Sequence, residues 1–453
     1  MLWQYTLGVL ISDRRRPTRV LFVSALAESM ISSPIDYDRT AGGIPVLAET
    51  LPGNASAGYM VTVRTGSRDE TAGLYGISHL LEHTVFRASS TRTSFQMAKE
   101  MEGAGGELNA FTGKEVTAFF GVTLKETADV ARKLVADIVA DPQLSAEDTA
   151  LEKEIVLQEL SMVKSEPEEY IHDLFEQHLW AGSRLGQDEG GTDTSVRALD
   201  EQALRQYYEQ RYGRPTLAVF ATGAVDIDVT RDWAEGAFDG MQARQVPPRD
   251  TTQKVPAVYH LVPNHADHYQ VAFGFPTEIG SEGERMADTL LSAMFGAGTS
   301  SRMFQQVREK QALVYAIYNA AEHYSDAGYV STFFSCTAKN VVPALESVAK
   351  IYGEMLREGP APGELARTKN LVKGAVVRSM ESTEERLVRL CRDYMSRGRG
   401  RSLEQIAAEI EAVTDDDLRA AAQRVIDRGR LNVTVLGAEK KELKQFDLNS
   451  LQL

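Results

Sequence analysis

The chain follows one plan twice. Ser94-Phe95-Gln96 is echoed by Met303-Phe304-Gln305, and Thr117-Ala118-Phe119-Phe120 by Ser331-Thr332-Phe333-Phe334. Each apolar run leads into a helical stretch, from Lys125 in one half and from Lys339 in the other. Each half then has a proline-marked break, Asp141-Pro142 or Gly359-Pro360-Ala361-Pro362, and another long helix. Ser165-Glu166-Pro167-Glu168-Glu169 has a counterpart in Glu381-Ser382-Thr383-Glu384-Glu385. A repeat of about 210 residues is too long for a solenoid unit and predicts two similar α+β domains.

Within the first half, residues 44–50 and 58–65 read as strands separated by the Pro52-Gly53-Asn54 break. Gly73 to Arg87 and Ser94 to Glu102 read as helices. Beyond Gly103-Ala104-Gly105-Gly106, Glu107–Thr112 and Val116–Thr123 read as a strand pair. Helices are predicted over Glu126–Ala140, Ser145 to about Trp180, Asp200–Arg211 and Val229–Phe238, with a strand over Thr216–Ala221. Residues 240–256 lack an apolar period and hold a proline pair, which marks a linker. The predicted division is an extension of unknown role over 1–35, repeats over 36–239 and 257–447, and the linker between them.

The first repeat contains His79-Leu80-Leu81-Glu82-His83. Two histidines four apart on a helix share a face. They can meet one metal ion, with zinc favoured, at about 2.0–2.1 Å each. Glu82 lies close enough to act on water at that metal without being a ligand. The pattern H-x-x-E-H inverts the metalloprotease motif H-E-x-x-H. The matching region of the second repeat, near Asp288-Thr289-Leu290-Leu291-Ser292, has no histidine.

A catalytic zinc wants a third protein ligand and an open position. The helix from Ser145 offers Glu147, Glu152, Glu154, Glu159 and Glu166. Glu152 and Glu159 are seven apart and share a face. Ile155 and Met162 lie on that face too, so it is expected to look inward. The alternative for any one glutamate here is a solvated acidic surface.

Gly76-Ile77-Ser78-His79-Leu80-Leu81-Glu82-His83, Glu107-Leu108-Asn109-Ala110-Phe111-Thr112 and Glu152-Lys153-Glu154-Ile155-Val156-Leu157-Gln158-Glu159-Leu160 together resemble the pitrilysin and mitochondrial processing peptidase family of zinc endopeptidases. The likeness covers nearly all of the chain after residue 40. In that family the third ligand lies about 76 residues beyond the second histidine, which here is Glu159. A supporting acidic residue lies seven earlier, which here is Glu152. The resemblance implies two antiparallel sheets covered by helices, arranged to enclose a chamber on dimerisation. It also implies that Asn109-Ala110-Phe111 forms an edge strand to which substrate adds as a further strand.

Gly298-Thr299-Ser300-Ser301-Arg302-Met303-Phe304 and Arg308-Glu309-Lys310-Gln311-Ala312-Leu313-Val314-Tyr315 are similar to the family's C-terminal repeat. By that likeness Arg308 and Tyr315 grip the substrate near the zinc, and Tyr315 is a candidate oxyanion donor. The glycine-rich loop of some processing-peptidase partner subunits is reduced here to Phe295-Gly296-Ala297-Gly298, so the resemblance does not by itself imply presequence recognition.

The expected activity is zinc-dependent hydrolysis of peptides or unfolded precursor segments, with water activated at Zn2+ and Glu82 as general base. The competing expectation is a non-catalytic partner subunit of a heterodimeric processing peptidase. A homodimer is expected, or else a heterodimer with a related chain. A formal charge of −15 argues against a nucleic-acid partner. No apolar run approaches the ~20 residues of a membrane helix. The N-terminus is apolar before it is basic, the reverse of a secretory signal, and only two cysteines are present. Those features predict a cytoplasmic protein.

Overall fold

The computed structural model describes residues 34–453, apart from 247, 251, 253, 254, 267 and 279. The predicted extension over 1–35 therefore falls almost wholly outside the described residues.

The first sheet is built from β1 (Ile35–Arg39), β2 (Pro45–Thr50), β3 (Ser56–Val63), β4 (Glu107–Thr112), β5 (Thr117–Leu124) and β6 (Leu217–Gly223), in the order β1-β2-β6-β3-β5-β4. The second holds β7 (Val258–Pro263), β8 (Tyr269–Glu278), β9 (Ala316–His323), β10 (Ala327–Cys336) and β11 (Asn432–Gly437), in the order β7-β11-β8-β10-β9. Removing β1 from the first order leaves the second, so the repeat extends to topology. The sheets are mixed rather than purely antiparallel. β2 pairs with β6, and β7 with β11, in parallel. The cause is geometric: β2 and β3 run in opposite directions, and a strand inserted between them must be parallel to one of the two.

One face of the first sheet packs on the motif helix Ile77–Val85 through Ile77, Leu80, Leu81 and Val85, and on the helix Ala128–Ala140 through Leu134, Val135 and Ile138. In the second sheet, Phe273, Phe275 and Val433 pack on helices Glu282–Gly296 and Val341–Glu358. The opposite faces are covered by exchange. Helix Thr383–Arg397, from the second repeat, sets Leu387, Leu390 and Cys391 on Leu47, Met60 and Phe220 of the first sheet. Helix Pro167–Leu179, from the first repeat, sets Ile171, Leu174 and Phe175 on Ala272, Phe333 and Leu436 of the second. These helices begin at the paired segments 165–169 and 381–385. A division at 240–256 therefore follows the two sheets but not the two exchanged helices.

The predicted single helix from Ser145 to Trp180 is two helices, Ala146–Ser165 and Pro167–Leu179. Pro167 has no N–H and its ring clashes with a preceding helical turn, so it opens a new helix instead of continuing the old one. The resulting change of direction carries the second helix onto the other sheet.

Charge also joins the halves. Arg68 is wholly buried, and its guanidinium reaches Asp326 of the β9–β10 turn at 2.5 and 2.7 Å and Glu115 of the β4–β5 turn at 2.8 Å. It also donates to the Asp250 carbonyl in the linker at 2.7 Å. Arg249 pairs with Asp69 at 3.0 Å. Removing one partner of a buried ion pair typically costs about 3–5 kcal/mol, because the other charges stay desolvated. Arg68→Met is therefore expected to lower unfolding free energy by about that amount, read as a lower denaturant midpoint. An unchanged midpoint would show that the network is solvated.

Candidate metal centre

The motif helix opens at Gly76, whose φ of +88° lies in the left-handed region. A Cβ there would sit 2.5 Å from the Gly190 carbonyl oxygen, so only glycine satisfies both the turn and the packing. The next full turn of helix carries His79 and His83 on one face, with ring centroids 4.6 Å apart. From helix Ala146–Ser165, the Glu159 carboxylate reaches within 3.8 Å of His79 Nε2 and 3.4 Å of His83 Nε2. One ligand atom from each of the three lies within 4.8 Å of the others. Two imidazoles and one carboxylate form a donor set of catalytic zinc sites, and these separations suit bonds of about 2.0–2.2 Å. The residues fit a zinc ion.

The two histidines differ in their electrostatics. Burial, with His83 as a neighbour, depresses His79 to about 4, so its imidazole is neutral and able to ligate. Burial also opposes charge on His83, but hydrogen bonds to Glu152 and Glu159 outweigh it and raise His83 to about 10. The same concentration of negative charge favours a dication.

Glu152 is buried, and its Oε2 lies 3.2 Å from His83 Nδ1. Arg87 faces the other Glu152 oxygen at 3.5 Å and donates to Asp148 at 3.2 Å. Glu159 is more open, with its side chain 39% exposed. The expectation that its face looks inward is wrong, because Ile155 and Met162 are 36% and 58% exposed. The core side of that helix is carried by Val156, Leu157 and Leu160. Glu152 turns under the histidines, while Glu159 approaches them from an open surface.

Glu82 stands outside the donor set and accepts a hydrogen bond from Thr112 Oγ1 at 2.5 Å. Burial pushes its pKa upward. Thr112 was not singled out by sequence, although strand alternation puts it on the same face of β4 as buried Ala110. Arg87 and Asp148 were also missed; their only signal was proximity to the motif and to the ligand helix.

β4 is an edge of the first sheet, as predicted for Asn109, Ala110 and Phe111. Asn109 Oδ1 accepts from its neighbour's N–H, Ala110 is buried beside the motif helix, and Phe111 packs towards Phe120 under the exchanged helix. Arg308 lies in a π-helical turn over Phe304–Lys310, with its guanidinium 4.6 Å above the Phe304 ring. Tyr315 is 77% exposed, just ahead of β9. Neither forms a hydrogen bond or ion pair with His79, Glu82, His83 or Glu159 among the described residues.

His79, His83 and Glu159, from two helices, cluster in the first repeat, and the matching segment of the second repeat has no histidine. The chain belongs to peptidase family M16. Residues 45–193 match the family description "Insulinase (Peptidase family M16)", and residues 198–372 match "Peptidase M16 inactive domain". An uncharacterized zinc protease of Mycobacterium tuberculosis is 32% identical over 411 residues, covering 89% of this chain and 94% of that protein. One from Streptomyces coelicolor is 30% identical over 407 residues, covering 88% of each. A protease from Helicobacter pylori superposes with a TM-score of 0.82 at 18% identity, over 89% of this chain and 99% of that one. A chain of complex III2 from Candida albicans superposes at 0.77 and 18% identity, over 92% and 98% of the two chains. Among the described residues, no helix is long and apolar enough to cross a membrane.

Proposed function

We propose that this chain is a zinc endopeptidase that cleaves peptides or unfolded polypeptide segments. The observation that carries this reading is the convergence of His79, His83 and Glu159, with Glu82 beside them, hydrogen-bonded to Thr112 of β4, whose outer edge is unpaired among the described residues. Bound zinc would supply a Lewis acid and a water acidified towards neutrality. Glu82, oriented by Thr112, accepts the proton of the attacking water and returns it to the leaving amine. Burial raises the basicity of its carboxylate and so suits it to that task near neutral pH. Extended substrate adds to β4 by backbone pairing, which tolerates many sequences.

Arg308 and Tyr315 serve the same reaction from the second repeat, Arg308 holding a substrate carbonyl and Tyr315 donating to the oxyanion. Their exposure leaves them free to meet substrate, in their own chain or in a partner across a chamber. A homodimer supplies every element, and pairing with a related chain remains the alternative assembly.

The test is zinc content together with cleavage of an internally quenched peptide. About one zinc per chain is expected, with cleavage abolished by a chelator and restored by added zinc. Cleavage that persists in the metal-free protein, or a zinc-loaded protein inert towards peptides, would overturn the reading.

A further inference from the structure

The two histidines are held in different ways. His83 has its Nδ1 fixed by Glu152, which is in turn faced by Arg87. His79 Nδ1 is buried with no hydrogen-bond partner among the described residues. Ligating histidines generally depend on a hydrogen bond at the second ring nitrogen for tautomer and orientation. His79 must take its placement from the backbone that carries it.

That backbone is clamped from behind. Glu70 is wholly buried, and its two carboxylate oxygens accept from the N–H of Gly76 at 2.7 Å and of Ser78 at 2.8 Å. These are free N–H groups at the start of the motif helix, where the helix dipole also favours a negative charge. Ser78, the residue before His79, is held a second time. Its hydroxyl lies 2.8 Å from the Tyr207 hydroxyl, which lies 2.9 Å from Thr65 Oγ1.

No cation among the described residues pairs with Glu70. Burial lifts its pKa to about 8, against the pull of the N–H groups. A buried carboxyl without a counter-ion is costly, and here it addresses backbone within three residues of the first histidine. Glu70 also directly follows Arg68 and Asp69, which are ion-paired to the second repeat's turn and to the linker.

We propose that Glu70 is a positioning residue of the metal centre, doing for His79 through the backbone what Glu152 does for His83 through its ring. This rests on the zinc reading above, and the test separates the two. Glu70→Gln keeps the size but points an amide N–H₂ at one of the two backbone N–H donors. Competition with a chromophoric chelator, at a temperature where circular dichroism shows the chain folded, gives zinc affinity independently of turnover.

Glu70→Gln is expected to weaken zinc binding at least about tenfold, the scale on which hydrogen-bonding neighbours of ligands act. Tyr207→Phe, which keeps the buried ring and removes only the hydroxyl, is expected to weaken it less, by a few-fold. Unchanged affinity in folded Glu70→Gln overturns the proposal, even if its melting temperature falls. If Glu70→Gln does not fold, Tyr207→Phe decides: weaker zinc binding supports the proposal and wild-type affinity overturns it. Glu152→Gln is the control. Weakening there but not in Glu70→Gln sinks the inference alone, whereas a wild-type chain that binds no zinc sinks the metal reading itself.

Discussion

Glu82→Gln is expected to bind zinc like the wild type and to lose about 10²–10⁴-fold in kcat, the usual range for removing a general acid–base group. Glu82 lies outside the three-residue donor set, so zinc content should hold. The amide keeps the shape and can still accept from Thr112, so the local packing should survive. What it lacks is the ability to take a proton from water and hand it on. Zinc analysis and steady-state kinetics on one preparation separate binding from chemistry. Loss of metal would make Glu82 a ligand, and full activity would remove it from the reaction.

Glu159→Ala should fail one step earlier. Its carboxylate is the anionic member of the donor set and faces both imidazoles. Losing a mere neighbour of a ligand already costs 10–100-fold in metal affinity, so loss of this ligand should cost at least about tenfold, with activity falling in proportion. Excess zinc should restore part of the binding if the two histidines keep their geometry. Wild-type zinc content and turnover in this variant would mean that another acid closes the site. Glu152 is the nearest alternative, but its Oε2 addresses His83 Nδ1 and thus lies behind the ring rather than at the metal face.

The clustering of His79, His83 and Glu159 was legible because it depends on short-range rules. A four-residue step on a helix fixes which side chains share a face, and resemblance supplied the spacing to Glu159. The repeat was legible for a similar reason, since matching runs of apolar residues persist where both halves must build the same sheet. β1 was missed because Ile35–Arg39 holds three charged residues among five and carries no apolar run. The orientation of the ligand helix was misread at Ile155 and Met162, because apolar character marks a core face only when a neighbour covers it.

The parallel pairs and the helix exchange are long-range facts. An amphipathic pattern says that a helix must cover something, but not which of two similar sheets it covers. Pro167 was the available clue to the break, and its consequence for direction emerges only in three dimensions. The cluster around Arg68 brings together Glu115, Asp250 and Asp326, which no local pattern connects.

The exchange also bears on how such a chain is made. The first sheet presents Leu47, Met60 and Phe220 to a helix that begins only at Thr383. During synthesis, the ribosome delivers every strand of that sheet well before its cover. A nascent chain therefore carries that apolar surface uncovered from the completion of β6 until the helix at Thr383–Arg397 is made. Glu49 adds to the delay: it is buried in β2, and Arg386 and Arg389, which meet it at 2.8 and 2.9 Å, arrive only with the same late helix. Timing, as much as packing, sets the order in which the half that carries His79 and His83 can mature.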